Sequence, residues 1–296
     1  MKSCTRIRSS QHRGRKRQTC TETDSLIIKK TKDNRFISAP KIANAIHTET
    51  GNKVHPKTVK RRLSEYGITA RSPRKVPLIS QVNRQRRVEL CKQWILKGPS
   101  FWKRVIWSDE TKLNYFKSDG KHYCWRLAGE EYNPECTQKT VKYGGGCTML
   151  WGCMAASGVG NLVKIDGTMN AVGYLRILQE NLVDSAIKLG LETDFVFQQD
   201  NDPKHTSRLL KTYFEENDIH VLPWAPQSPD IAVIEHLWSY AKDKYHESLS
   251  TSRHGVLGRI QEIWNSIQPN VTLQLVKSVY RRFEAVIKAK GGATRY

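Results

Sequence analysis

Three carboxylates stand in segments whose residue types could carry chemistry: Asp109 in WSDE (107–110), Asp200 in QQDNDPKHT (198–206) and Glu235 in SPDIAVIEHLW (228–238). Asp109 follows the apolar run Val105-Ile106-Trp107, and Asp200 follows Phe195-Val196-Phe197. Each is predicted to close a strand, at a sheet rim that a substrate can reach. Glu235 is predicted to open a helix docked beside that rim. Three carboxylates converging there would repel one another unless cations bound between them. Hard oxygen donors select Mg²⁺ or Mn²⁺. Two such ions about 4 Å apart can stabilise both the attacking and the leaving oxygen of an in-line phosphoryl displacement. A single acid after a strand is more often a plain surface residue. The combination of the three segments carries the expectation.

Other polar candidates weigh less. His205 and His236 could each orient a phosphate or a metal-bound water, but hydrogen bonding to a turn or helix end accounts for either. Lys204 suits a phosphate contact or a solvated position equally. Gly144-Gly145-Gly146 lacks the Lys-Ser/Thr of a nucleotide-binding loop and is expected to be a flexible strand entry. Of the eight tryptophans, seven are expected in packing. Trp125 falls in a loop region, where packing within its own sheet and an outward contact are evenly matched.

The elements that must position the acids follow from apolar patterning. Strands are predicted at 105–109, 113–116, 122–125, 148–152, 160–165, 195–200 and 219–222. Helices are predicted at 170–189, 206–217, from about Ile234, and at 253–268 and 272–290. Strands followed by alternating helices and strands indicate an α/β domain with a mixed sheet, placed at 101–250, with C-terminal helices over 251–296.

The other end of the chain differs in charge. The 296 residues carry a formal charge of +21, and residues 1–100 hold 25 Lys and Arg against 6 Asp and Glu. That concentration indicates a polyanion-binding module. Residues 1–20 form a basic tail in which Arg13-Gly14-Arg15 could lie in an A·T-rich minor groove. Residues 21–69 are predicted as three short helices, the first with cap chemistry in Thr21-Glu22-Thr23-Asp24, the second capped by Ser38, the third opening at Val54-His55-Pro56 and stopping at Gly67. The third carries Lys57, Lys60, Arg61 and Arg62 on its polar face, so an all-α helix-turn-helix DNA-binding domain is expected, with this helix in the major groove. Residues 70–100 are a basic linker, with Arg71, Arg74 and Lys75 as further DNA contacts, and a helix over about 80–96. Seven cysteines without a Cys-x-x-Cys pair argue against a disulfide framework or zinc ribbon. No apolar run long enough to span a membrane and no secretory signal is readable, so a soluble intracellular protein acting in the nucleus is expected.

The segments WSDE, WRLAGEEYNPEC, VKYGGGCTMLWGC, FVFQQDNDPKHT and PWAPQSPD…IEHLW occur in one order over about residues 20–250. In these the chain resembles transposases of the Tc/mariner superfamily. The 34 residues between Asp200 and Glu235 match the spacing of its Tc branch. The resemblance implies a ribonuclease-H-like catalytic domain in which Asp109, Asp200 and Glu235 bind two Mg²⁺ or Mn²⁺ ions. It implies DNA as partner: terminal inverted repeats as the site of excision, a TA dinucleotide as the site of insertion, and a homodimer on DNA. Two departures stand out. Ile231-Ala232-Val233 replaces the usual Leu-Asn-Pro, which predicts a looser approach of Glu235. The hook-like Arg13-Gly14-Arg15 lies near the first residue, so the first of two helix-turn-helix units is expected to be missing and DNA discrimination to be poor. Two rivals are a DNA-binding scaffold without catalysis and a ribonuclease-H-type hydrolase that does not transfer strands. The three acids oppose the first, and the basic helix opposes the second.

Overall fold

Three short helices build the first of two units, 1–75 and 76–296. The structure, a computed structural model, describes residues 17–73, 76–115, 127, 129–137, 146–192, 194–247 and 255–296. The strand predicted at 122–125, Gly144-Gly145, Trp125, and the DNA contacts Arg13, Arg15, Arg74 and Lys75 lie outside them. In the first unit, α1 (Thr21–Asp33), α2 (Ala39–Thr50) and α3 (Pro56–Glu65) are each too short to persist alone in water. They are held by a shared core of Ile27, Ile42, Ala43, Ile46, Val54 and Val59. Gly51 ends α2 in the left-handed conformation (φ 72°), giving its N–H to His47 O. His55 caps α3, its Nδ1 accepting from the Lys57 N–H at 3.1 Å. Ser38 is the N-cap of α2 but makes no side-chain cap bond, and α1 is preceded by Cys20. The acid expected among the cap residues of α1, Asp24, pairs instead with Arg17.

The second unit begins with α4 (Gln81–Ile95), capped by Ser80, and α5 (Pro99–Lys103). Strand β1 (Val105–Asn114) then runs through the predicted breaks as one ten-residue strand. Beyond it lie β2 (Cys147–Ala155), β3 (Gly158–Ile165), α6 (Ala171–Lys188), β4 (Val196–Gln198), α7 (Arg208–Glu216), β5 (His220–Val221), α8 (Ile234–Glu247), α9 (Val256–Asn265), α10 (Pro269–Lys277) and α11 (Val279–Lys288). The helix predicted at 272–290 is thus two. At the break, Ser278 turns its Oγ to Leu275 O at 2.6 Å, a local bond that competes with helix continuation. Among the described residues no helix is long and apolar enough to cross a membrane.

The described strands form one sheet in the order β3-β2-β1-β4-β5. β1, β2 and β3 are antiparallel neighbours, and β1, β4 and β5 are parallel. Side chains alternate across a strand, which splits the core in two. Ile106, Trp151 and Phe197 face α6 and α7, packing on Tyr174, Leu178, Leu210 and Phe214. Val105, Trp107, Leu113 and Leu150 face the other way, toward the flanking helices on either side of the sheet in sequence. There Trp94 stacks on Trp224 (centroids 5.1 Å) and Trp102 on Trp107 (5.9 Å), with Phe283 against the first and third of these rings. The tryptophans described are therefore core.

Gly152 faces that second layer, paired across the ladder with Asp109. A Cβ built on it would lie 2.7 Å from Trp238 Cη2 and 3.2 Å from Trp264 Cζ2. Those two rings stack at 4.7 Å over the bare backbone. Gly152→Ala is therefore expected to lower unfolding free energy by about 1–3 kcal/mol, the usual cost of overpacking. Urea unfolding checks this, and an unchanged midpoint would show that the rings move freely.

Candidate active site

The first two acids are brought together by the sheet. β1 and β4 pair in parallel up to Trp107↔Gln198, and Asp109 and Asp200 each stand two residues further on. Ser108 Oγ donates to Gln198 O at 2.9 Å and fastens the strands where they part. Asp200 does lie just past β4, two residues beyond its last residue Gln198. Asp109, however, does not close a strand: β1 continues five residues beyond it, to Asn114, paired with β2 alone. What ends near Asp109 is the parallel half of its pairing, and that opens the cleft. Glu235 lies in the first turn of α8, as expected. All three acids line one cleft of about 460 Å³, with Gln198, Asn201, Asp202 and the segment 224–229 in its walls.

The electrostatics of the cleft are those of a site short of positive charge. Asp109 is pushed up to about 8, first by burial and then by the charges of Glu235, Glu110 and Asp200. Its one side-chain donor among the described residues is Trp238 Nε1, 3.2 Å from Oδ2. Glu235 is also raised, by burial and by Asp200, against the pull of Lys242. Asp200 goes the other way. Partial desolvation would raise it, but the bonds from His205 and the Asp202 N–H, and the charges of His205 and Lys204, outweigh that and lower it. His205 is itself raised to about 9: burial lowers it, and hydrogen bonds to Asp200 and Glu110 more than restore it.

Among the described residues no three acidic, His or Cys side chains stand close enough, as placed, to enclose a metal ion. The residues nonetheless fit divalent cations. The donors are all oxygens, the set that Mg²⁺ and Mn²⁺ prefer, and Asp109 is buried beside the charges of Glu235, Glu110 and Asp200. Gln198 Oε1, buried in the cleft wall, has no hydrogen-bond partner among the described residues.

A buried clasp fixes the turn before Glu235. The Arg87 guanidinium, fully buried, donates to Gln227 O and Ser228 Oγ at 2.7 Å, to both Asp230 oxygens at 2.8–2.9 Å and to Gly291 O at 3.1 Å. Thr294 binds Asp230 Oδ2 through both N–H and Oγ1, and Arg282 donates to Asp230 O. Ile231, Ala232 and Val233 are all buried. Apolar side chains thus fill the core where the Leu-Asn-Pro pattern is replaced, and the clasp holds the turn.

In the first unit Lys57, Lys60, Arg61 and Arg71 are exposed, the first three along α3. Arg62 does not join them. It is buried, facing Asp24 at 3.9 Å and Glu65 at 2.5 Å, so the expectation of a DNA contact there gives way to an internal ion pair. Sequence patterning missed Glu110, which Asp109 overshadows. Alternation sends it to the opposite face of β1, where it meets His205. His236 makes no bond to the acids among the described contacts. Its ring lies 6.4 Å from that of Tyr296, and burial and Arg282 lower it.

A mixed sheet with one acid where two adjacent parallel strands part, a second just past the shorter of them and a third on a later helix is the arrangement of a ribonuclease-H-like domain, here preceded by a helix-turn-helix unit. A family model described as "Transposase" (HTH_Tnp_Tc3_2) matches residues 24–95. The transposable element Tc1 transposase of Caenorhabditis elegans is 36% identical over 273 residues, 92% of this chain and 100% of that protein. The Tcb1 transposase of Caenorhabditis briggsae is 40% identical over 240 residues, 81% of this chain and 88% of that protein. A Mos1 transposase paired-end complex with left transposon end superposes with a TM-score of 0.80 at 21% identity, covering 97% of this chain and 83% of that one, which shows a common fold. Similar Mos1 paired-end complexes are described with Mn and with Mg. The chain belongs to the Tc1/mariner family of transposases.

The raised Asp109 has a consequence for the metal-free protein. Its folded value lies above the unfolded one, so the folded state holds an extra proton between about pH 4 and pH 8. Stability is then lost as pH rises through that window. In chelator, Asp109→Asn should be more stable than wild type by a margin that grows by up to ~1.4 kcal/mol per pH unit from pH 4 to pH 8. Urea unfolding at pH 5 and pH 8 reads the margin, and an equal margin at both values would refute the buried charge.

Proposed function

We propose that this transposase cuts DNA at the ends of its element and joins the freed ends to new DNA, using two divalent metal ions held by Asp109, Asp200 and Glu235. The observation that carries the metal assignment is the shared cleft, in which Asp109 is raised to about 8, first by burial and then by the charges of Glu235, Glu110 and Asp200. The Mos1 complexes with Mn and Mg support the choice of cation. Bound there, the ions would supply Lewis-acid stabilisation of the attacking and leaving oxygens. In the first step a water oxygen bonds to phosphorus and the 3′-oxygen leaves, giving a 3′-hydroxyl and a 5′-phosphate. In the second, that 3′-hydroxyl displaces a 3′-oxygen of target DNA at a TA dinucleotide, so one phosphodiester replaces another.

The chain's own residues set the stage for both steps. Trp238 holds one oxygen of Asp109, and the Arg87 clasp holds the turn ahead of Glu235. In the first unit α3 enters the major groove of the terminal inverted repeat, with Lys57, Lys60 and Arg61 on phosphates and base edges. Arg71 and, from sequence alone, Arg13, Arg15, Arg74 and Lys75 add backbone and minor-groove contacts. Two copies act together on two ends, a reading supported by the paired-end assembly of Mos1, and they work on chromosomal DNA in the nucleus.

Nicking of supercoiled plasmid should require Mg²⁺ or Mn²⁺. Asp109→Ala, Asp200→Ala and Glu235→Ala should each lower the rate by about three orders of magnitude, and the double variants little further. Wild-type rates in any of the three would remove that acid from the site. Lys57, Lys60 and Arg61 changed together to Ala should weaken duplex binding by the full chain and flatten the fall of log affinity with log salt. Arg62→Ala should instead lower thermal stability, leaving Asp24 and Glu65 with one partner fewer. A fourth equal loss of DNA affinity from Arg62→Ala, without loss of stability, would return it to the DNA-contacting row.

A further inference from the structure

The His205 side chain is 3% exposed and held at both nitrogens. Nδ1 lies 2.7 Å from Asp200 Oδ1, and Nε2 lies 3.0 Å from Glu110 Oε1. Its plane is fixed by the Tyr174 ring, 4.0 Å away between centroids. Tyr174 OH donates to Gln199 Oε1 at 3.0 Å, and Gln199 Nε2 donates to His205 O at 3.1 Å. The imidazole thus braces β1 and α6 against the loop that carries Asp200. On Asp200 the contacts are one-sided. Oδ1 takes both His205 and the Asp202 N–H at 3.0 Å, and no hydrogen bond among the described residues takes Oδ2.

We infer that Glu110 and His205 form a positioning clamp for Asp200, fixing one carboxylate oxygen so that the other is kept free for a divalent cation in the cleft. A buried histidine needs no second carboxylate to be satisfied by hydrogen bonding. Here the second carboxylate comes from the residue next to Asp109. The spacing of the two acids is then set twice, by the sheet register on one face of β1 and by the Glu110–His205 bridge on the other. Neither residue is assigned a contact with substrate. Their effect runs through the rotamer of Asp200, which stands two residues past the end of the three-residue β4 and, besides His205, accepts only the Asp202 N–H among the described hydrogen bonds. Outer partners of this kind typically govern metal affinity by a factor on the order of 10–100.

The inference rests on the cleft being a metal site, so the test separates the two. Mn²⁺ binding to the full chain is measured directly, from the electron paramagnetic resonance signal of free Mn²⁺, alongside the half-saturating Mn²⁺ for plasmid nicking. Glu110→Ala should raise the dissociation constant about 10-fold or more. Glu110→Gln, whose amide oxygen can still accept from Nε2, should return it to within about 3-fold. The half-saturating Mn²⁺ should shift in parallel, with duplex DNA affinity unchanged. If Glu110→Ala does not fold, His205→Gln gives the same comparison, because its amide reaches one carboxylate and not both. Asp109→Asn is the control. Mn²⁺ affinity lost in Asp109→Asn but unchanged in the Glu110 and His205 variants overturns the clamp alone. Affinity unchanged in all of them overturns the metal site and the clamp with it. A direct loss of stoichiometry in His205→Gln would make His205 a ligand rather than a positioning residue, and would overturn the clamp as well.

Discussion

Like charges gathered in one desolvated cleft are the constraint around which the second unit is arranged. Asp109, Asp200 and Glu235 line one cleft, and there burial and neighbouring charge raise the cost of ionising Asp109 and Glu235. No flexible loop would hold them there unaided. The carboxylates are therefore carried on elements fixed by interactions remote from the charge. β1 is locked between β2 and β4, and α8 is seated by Leu237, Trp238 and Ala241 in the apolar layer. The energy that opposes the repulsion comes from that burial, which is large and non-directional. The few polar contacts that reach the acids aim them.

Each acid is aimed by different chemistry. Asp109 is met by an indole N–H, a neutral donor whose large ring can approach because Gly152 offers no side chain beneath it. Asp200 is met by an imidazole held at its far nitrogen by a further acid. Glu235 depends on its backbone, through a turn gripped by a guanidinium that satisfies carbonyls, a hydroxyl and a carboxylate together. Arg suits that last role because its donors lie in one rigid plane. The three supports come from three separate parts of the sheet and its flanking helices.

Much of this was legible in the sequence, and the unread parts share a cause. The acids, the order of the strands from Thr148 to Leu222 and the three N-terminal helices all announce themselves through local patterning, apolar runs and periodic faces. Asp109 as a strand end did not hold, because a strand can lose one neighbour and keep the other, and no local pattern records that. Arg62 looked like its neighbours Lys60 and Arg61, yet the turn of a helix carries it inward to Asp24. Glu110 was hidden by adjacency, since successive residues of a strand point to opposite layers. The clasp joins residues up to 205 apart in sequence, Arg87 with Gly292, so neither spacing nor periodicity could reveal it.

That clasp also sets an order of events. Arg87, Asp230 and the 291–294 segment must all be present before these contacts can hold the turn ahead of Glu235, and contacts of such separation carry a large loop-closure entropy. A ribosome-bound chain that has exposed all three acids but not yet Gly291 to Thr294 carries the ligands without their final brace. The brace on that turn thus waits for translation of Gly291 to Thr294. A chain not yet extended that far would carry the basic reader while its scissors were still open.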